Sequence, residues 1–301
     1  MAARWLRSLA AAPLMLSGLM AATLAPAPPA QALVPYVLMP GPGTLEGAGL
    51  GIAQAAARLL RLGQAEDAAQ LAALVVQLIP TDPRGWVLLA EAQLRSGQEK
   101  EASVALARAR ELDPDNAGIL FAQGALALKG NNPTEAAQLI RQGLKLDGRN
   151  PGAYFDLGNA HILMGQSGDA MAAFEKAADL RRDFWEAINN QALVLFEQRK
   201  DDDAIQRWRR VLKISPTASE PMLALAAALN VRNPGNPESI ELAHQALAGD
   251  PNYVLESHQK EQLWGTRLRA ATGTLLSQPA LRADVERAQA NAGSSSDNGQ
   301  E

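Results

Sequence analysis

The chain has 301 residues, 47% of them apolar and 4% aromatic, a formal net charge of -4 and no cysteine. The apolar share is ample for a core. The mild acidity speaks against a nucleic-acid binder, which would carry a basic face. The lack of cysteine excludes disulfides, thiolate catalysis and cysteine-ligated zinc.

Residues 1–32 read as an export signal. Arg4 and Arg7 supply a short positive start, residues 9–24 are apolar and uncharged, and Ala30-Gln31-Ala32 offers small residues for a cut after Ala32. The alternative is a retained anchor. A span needs about 20 apolar residues, and Pro13, Pro26, Pro28 and Pro29 break this run. The expectation is therefore an exported, cleaved chain without an integral membrane span. Residues 33–48 read as an extended, Pro- and Gly-rich lead-in. Its glycines do not match the G-x-G-x-x-G spacing of a dinucleotide turn, and no βαβ unit follows.

From Gly49 onward a period of 34 residues takes over, and residues 151–184 are its clearest copy. Tyr154, Leu157 and His161 fall on one face of a first helix, Gly165 breaks the chain, and Ala170, Phe174 and Ala177 share a face of a second helix. The preceding copies run 49–82, 83–116 and 117–150, and the following ones 185–218 and 219–253. The last copy is one residue longer at its turn, Asn233-Pro234-Gly235-Asn236-Pro237. Small residues such as Gly158 and Ala170 let paired helices approach, and large ones such as Phe174 and Trp208 fill the space between pairs. One pair cannot bury its own apolar face, so the copies must stack.

After the repeats, residues 253–276 read as one helix with a partial apolar stripe, followed by a shorter helix after Pro279. Together, residues 254–290 are expected to cap the array. Residues 291–301 are rich in Gly, Ser and Asn and are expected to be disordered.

Trp86, Tyr154, Leu157, Gly158, Ala170, Phe174, Ala177, Ala204 and Trp208, with Pro80, Pro114, Pro216 and Pro251, occupy the signature slots of a known repeat. Over residues 49–253 the chain resembles the tetratricopeptide repeat (TPR) family. Gly148 and Arg182 depart from the closing Pro, and His161 stands in an aromatic slot. The resemblance implies an all-α TPR solenoid of about six helix-turn-helix repeats with C-terminal capping helices. It also implies a concave groove lined by the first helix of each pair. The groove-facing residues would be Arg84, Val87, Glu91, Phe121, Ala125, Phe155, Asn159, Ile162, Asn189, Leu193, Phe196 and Leu223. The family's best-known groove grips a C-terminal carboxylate with Lys, Arg and Asn. Val87, Phe121, Phe155 and Leu223 replace that cationic set here, which leaves Asn159 and Asn189 as clamps. The implied ligand is a peptide with apolar anchors, with Phe121, Phe155 and Phe196 as hot spots. The alternative is that these side chains pack on their own neighbours.

Chemistry-bearing residues are sparse. His161, His244 and His258 lie far apart without metal-ligand spacing. Asp201-Asp202-Asp203 suits the start of a helix, as a cap and a partner to its dipole. Ser167 lacks the setting of a nucleophile elbow. Arg207, Arg209, Arg210 and Lys213 read as a solvated face, with an acidic partner or anionic lipid as the alternative. No cofactor is implied.

The expected function is a non-catalytic scaffold acting outside the cytoplasm, in the periplasm or a thylakoid lumen. It would bind a peptide or partner subunit during assembly of an envelope or membrane complex. A loose similarity of Leu263-Trp264-Gly265 to TPR proteins of cyanobacteria and plastids adds assembly of photosynthetic complexes as a branch. A regulatory subunit of an envelope enzyme is a further alternative. An enzyme is disfavoured because repeats and caps consume nearly every ordered residue.

Overall fold

The structure is a computed structural model that describes residues 41–293. The repeated pattern becomes a series of helix pairs. Pro42–Arg61 (α1) pairs with Ala65–Leu78 (α2), Pro83–Arg95 (α3) with Glu99–Leu112 (α4), and Ala117–Lys129 (α5) with Pro133–Leu146 (α6). Pro151–Leu163 (α7) pairs with Ser167–Leu180 (α8), Trp185–Glu197 (α9) with Asp201–Ile214 (α10), and Ser219–Arg232 (α11) with Pro237–Gly249 (α12). A 3-10 turn at Pro251–Val254 then leads to Glu256–Glu261 (α13) and Thr266–Leu276 (α14). A second 3-10 turn, Pro279–Leu281, precedes Arg282–Asn291 (α15). The described residues contain no strand, and the protein is an all-α solenoid.

Local chemistry sets the boundaries at the same phase in successive repeats. Asp82, Asn116 and Asn150 cap the first helices α3, α5 and α7, each accepting a backbone N–H from the following turn. At the helix-to-helix turns, Gly63, Gly97, Asn131, Gly165 and Arg199 all adopt positive φ, between 55° and 80°. The next residue's N–H then reaches back to close the turn, as in Gln98 N to Gln93 O at 2.7 Å and Gln166 N to His161 O at 2.8 Å. In the longer sixth turn, Gly235 takes the left-handed conformation and its N–H donates to Asn230 Oδ1 at 2.9 Å.

Between the helices of a pair, packing is close enough to require glycine. A Cβ on Gly158 would lie 2.4 Å from the Phe174 ring, and one on Gly124 would lie 2.5 Å from Ile140. Phe174, Ile140 and Trp208 are fully buried. Each such side chain contributes roughly 1.5–3 kcal/mol by leaving water. The first helices also meet one another, α1 with α3, α5 with α7 and α9 with α11, whereas successive second helices make no comparable contact. The array therefore curves with its first helices inside.

Three expectations need correction. The first helix begins at Pro42 rather than near Gly49, so Gly43 and Gly47 are helical and not part of a flexible lead-in. Pro42 sits in the first turn, where its missing N–H costs nothing. Residues 253–276 are not one helix: Leu263 has φ 62°, Trp264 N–H closes on Gln259 O at 3.0 Å, and the chain restarts at α14. Asn291, expected in a disordered tail, is the last residue of α15. The signal at 1–32, the rest of the lead-in up to residue 40 and the tail from 294 lie outside the described residues.

Candidate functional site

The inner face divides into an open half and a covered half. In the open half, Arg84 and Glu91 are exposed and pair within their own helix turn, Arg84 with Asp82 at 2.7 Å and Glu91 with Arg95 at 2.8 Å. The hydrogen bonds and charge of Arg84 hold the Asp82 carboxyl below its ordinary range, against some desolvation. Val87, Asn159 and Ile162 are half-buried and Ala125 is exposed.

The two aromatic residues expected as anchors here are not free. Phe121 lies under α6, so close that a Cβ on Gly143 would be 2.5 Å from its ring. Phe155 packs between Phe174 and Phe184, at centroid distances of 5.8 and 5.2 Å. Both rings fill space between helices, which is the packing alternative, although Phe155 is half-buried and also contributes to the wall of a hollow described below.

The covered half overturns four more groove assignments. Asn189, Leu193, Phe196 and Leu223 are at most 5% exposed. The cover is α14, which packs against α9 and α11. Arg267 holds it there: its guanidinium lies 3.9 Å over the Phe196 ring, donates to Phe196 O, and forks onto Asp201 with Nη1 and Nη2 at 2.5 and 2.6 Å. Glu197 accepts the backbone N–H groups of Arg267 and Leu268 at 3.1 and 2.9 Å, and so caps α14. Glycine at 265 leaves Glu197 in place, since a Cβ there would meet the Glu197 carboxyl group at 2.2 Å and push it off this cap. Asp201 is thus a partner of Arg267, and no side-chain cap forms at the start of α10. Asn189, expected as a clamp, instead accepts the Trp208 indole N–H at 3.0 Å.

Where the two halves meet, two hollows open. One, of about 530 Å3, lies among α7, α9, the start of α11 and the 3-10 turn at Tyr253; its walls include Phe155, Trp185, Glu186, Asn190, Glu220 and Tyr253. The other, of about 710 Å3, lies between α5, α7 and α13. Asn159, Glu261 and Leu263 line both. Asn159 Oδ1 accepts from Asn190 Nδ2 at 3.0 Å, which fixes its amide at the junction. The Glu220 carboxyl accepts the Trp264 indole N–H at 3.0 Å. Desolvation raises its pKa, while bonds from Trp264 and Asn189 oppose the rise and the Glu186 charge adds to it.

Glu186, Asn190, Glu220 and Tyr253 were not anticipated as site residues. The 34-residue phase places Glu186 and Glu220 at equivalent slots near the start of successive first helices, which was a usable signal. Tyr253 reaches the hollow only through the break after α12, which periodicity does not encode.

The remaining polar residues have structural partners. His161 is buried between Gln166 Oε1 at 2.6 Å and Arg141 Nη2 at 3.0 Å. Arg209 pairs with Glu238 at 2.9 Å on the outer face. Among the described residues no group of His, Asp and Glu is placed to hold a metal, and no helix is long and apolar enough to cross a membrane.

Stacked helix pairs with a concave inner face define a protein-interaction scaffold. The tetratricopeptide repeat family model matches residues 59–126 and again residues 155–219. The chain is a member of the TPR superfamily. Among solved structures it is similar to Pseudomonas aeruginosa PilF, with 19% identity, TM-score 0.62, and coverage of 74% of this chain and 99% of that one. It is also similar to the APC/C hetero-tetramer Cut9–Hcn1, with 15% identity, TM-score 0.63, and coverage of 80% and 42%. MamA from Desulfovibrio magneticus RS-1 matches at 19% identity and TM-score 0.52, over 58% of this chain and 98% of that one. Identities this low establish the shared fold alone. No curated protein matches the sequence.

Proposed function

We propose that the protein is a non-catalytic scaffold that binds an extended segment of a partner polypeptide along the open half of its inner face. The segment would run past α3, α5 and α7 and end in the hollows at α13. One observation carries this reading: the two adjoining hollows that share Asn159, bounded on one side by first helices of the repeats and on the other by the chain's own cap. An amide fixed at such a junction can satisfy the backbone of a strand-like ligand. The covered half has no room for a ligand while α14 is docked.

The leader-like residues 1–32 support a site of action outside the cytoplasm, in a periplasm or a thylakoid lumen. For a scaffold there, assembly of an envelope or membrane complex is the role we propose. The test is affinity capture from an envelope extract with tagged full-length protein. Asn159→Arg, which fills the junction, should lose the partner that wild type retains, while circular dichroism stays helical. The mass of the recovered bait should lack residues 1–32. Equal capture by both proteins would remove the binding site from these hollows, and an intact leader would remove the export reading.

A further inference from the structure

The smaller hollow differs chemically from the rest of the inner face. Several acids elsewhere in the described structure are matched by bases, as in Asp201–Arg267, Glu99–Lys129, Glu238–Arg209 and Glu256–Arg269. Glu186 and Glu220 line the hollow without a salt bridge among the described residues, and Asp250 joins them on its wall. No Lys or Arg contributes to that wall.

A second feature is independent of the carboxylates. Tyr253 is 6% exposed and lines the hollow, yet its hydroxyl has no hydrogen-bond partner among the described residues. Its ring is held from the other side by Trp264 at 5.7 Å and by the edge of His258 at 4.7 Å. Burial and the nearby charges of Glu220 and Asp250 push the phenol pKa up, so it stays a neutral donor and acceptor facing them. Trp185 and Phe155 add aromatic surface to the same wall. Acid groups, π faces and an unfilled hydroxyl together suit an organic cation that is partly stripped of water.

We propose that this hollow receives a single lysine or arginine side chain of the bound partner segment, held by Glu186 and Glu220 and flanked by Trp185 and Tyr253. The inference rests on the groove-binding reading above and specifies the ligand's chemistry. It inverts the charge logic of the family's carboxylate clamp, which holds an anion with cationic side chains. Glu220 is pinned by Trp264, so its carboxyl group is positioned before the ligand arrives, which lowers the cost of binding. Desolvation makes that carboxylate a poor anion when the hollow is empty and a better one when a cation fills it.

The test uses full-length protein and a library of random decapeptides, with retained peptides resynthesised carrying fluorescein and measured by anisotropy. Retained peptides should share one Lys or Arg. Replacing that residue with citrulline or norleucine should weaken binding about tenfold or more. Glu220→Gln keeps the size and the acceptor for Trp264. It should weaken the basic peptide by a similar factor and leave the neutral peptide unchanged, with Glu186→Gln acting in the same direction. Binding of the basic peptide should also fall as salt rises. Retained peptides without a basic residue, equal binding of the neutral analogue, or no coupling to Glu220 would overturn the inference. If those peptides are still lost on Asn159→Arg, the groove reading survives that failure. If no peptide is retained over the Asn159→Arg control, both fall. Competition by free spermidine as effective as by the basic peptide would mean that a small polyamine, and not a polypeptide side chain, is the occupant.

Discussion

The first helices of the second and sixth repeats share a pattern and a phase but have different surroundings. In α3 only Gly85, Leu89, Ala90 and Ala92 are buried, along one stripe. In α11 every residue from 221 to 230 is buried, so both of its faces are covered. One face packs on repeat neighbours and the other packs under α14. The helical array is therefore open at its N-terminal end and occupied by its own C-terminal helices at the other. A repeat fixes where a side chain points, but not whether anything lies on it. The ligand-accessible face belongs to the open half and to the junction.

The largest expected effect comes from the same truncation made at one slot in both halves. Leu223 and Val87 occupy equivalent positions on α11 and α3. Leu223 is fully buried and Val87 is half-buried. Leu223→Ala should cost about 2–5 kcal/mol, because a cavity forms that the surroundings cannot fill. Val87→Ala should cost less than about 1 kcal/mol, since water already reaches the site. Urea unfolding followed by circular dichroism measures both. Similar losses at the two slots would break the division into open and covered halves.

The packing of the array was legible in the sequence because it is local and periodic. Gly158 against Phe174 and the turn glycines at 63, 97 and 165 follow from spacing alone. The cover was not legible, because it depends on contacts far along the chain: Glu197 and Leu268 are 71 residues apart. A hint was present in residues 221–229, PMLALAAAL, which are apolar around the whole helix and so imply burial on all sides. Phe155 misled for a different reason. Its slot belongs to the groove in the family pattern, but Phe184, the last residue of the same repeat, folds back and its ring completes a packed cluster. The acidic hollow escaped because Asp250 and Tyr253 join it only beyond the last pair, where the period ends.

A second prediction concerns α7, the helix at the boundary. Asp156 stands at the slot that holds Leu88, Ala122 and Ala224 in other repeats, and desolvation pushes its carboxyl up to about 6. The folded state therefore holds this proton more tightly than the unfolded chain, with its ordinary value of 3.8. Stability falls as pH rises from about 4 to about 6, and the full loss persists above that range. Asp156→Asn should recover roughly 2–3 kcal/mol at pH 7.5 as a ceiling set by the shift. The gain should shrink below about 1 kcal/mol near pH 4, where the folded carboxyl is neutral and the unfolded one is only about half ionised. A gain that is independent of pH would mean the aspartate is not desolvated, and that α7 is as open to water as α3.

The smallest effect tests whether the two halves unfold together. Arg199 adopts φ 62° at the turn between α9 and α10, where three other repeats use glycine, and Asn131 does so at φ 55° between α5 and α6. A left-handed conformation costs an ordinary L residue about 1–2 kcal/mol, and asparagine less. Glycine removes that strain but loses more freedom on folding, so Arg199→Gly should gain only about 0.5–1 kcal/mol and Asn131→Gly less. Stability in such arrays is a sum of repeat and interface terms, so a gain registers in the segment that contains it. The first substitution lies in the half clamped by Arg267 and should delay the last part of a urea transition. The second lies in the open half and should shift the first part. A single transition, moved equally by both, would show that the docked α14 couples the whole array into one cooperative unit.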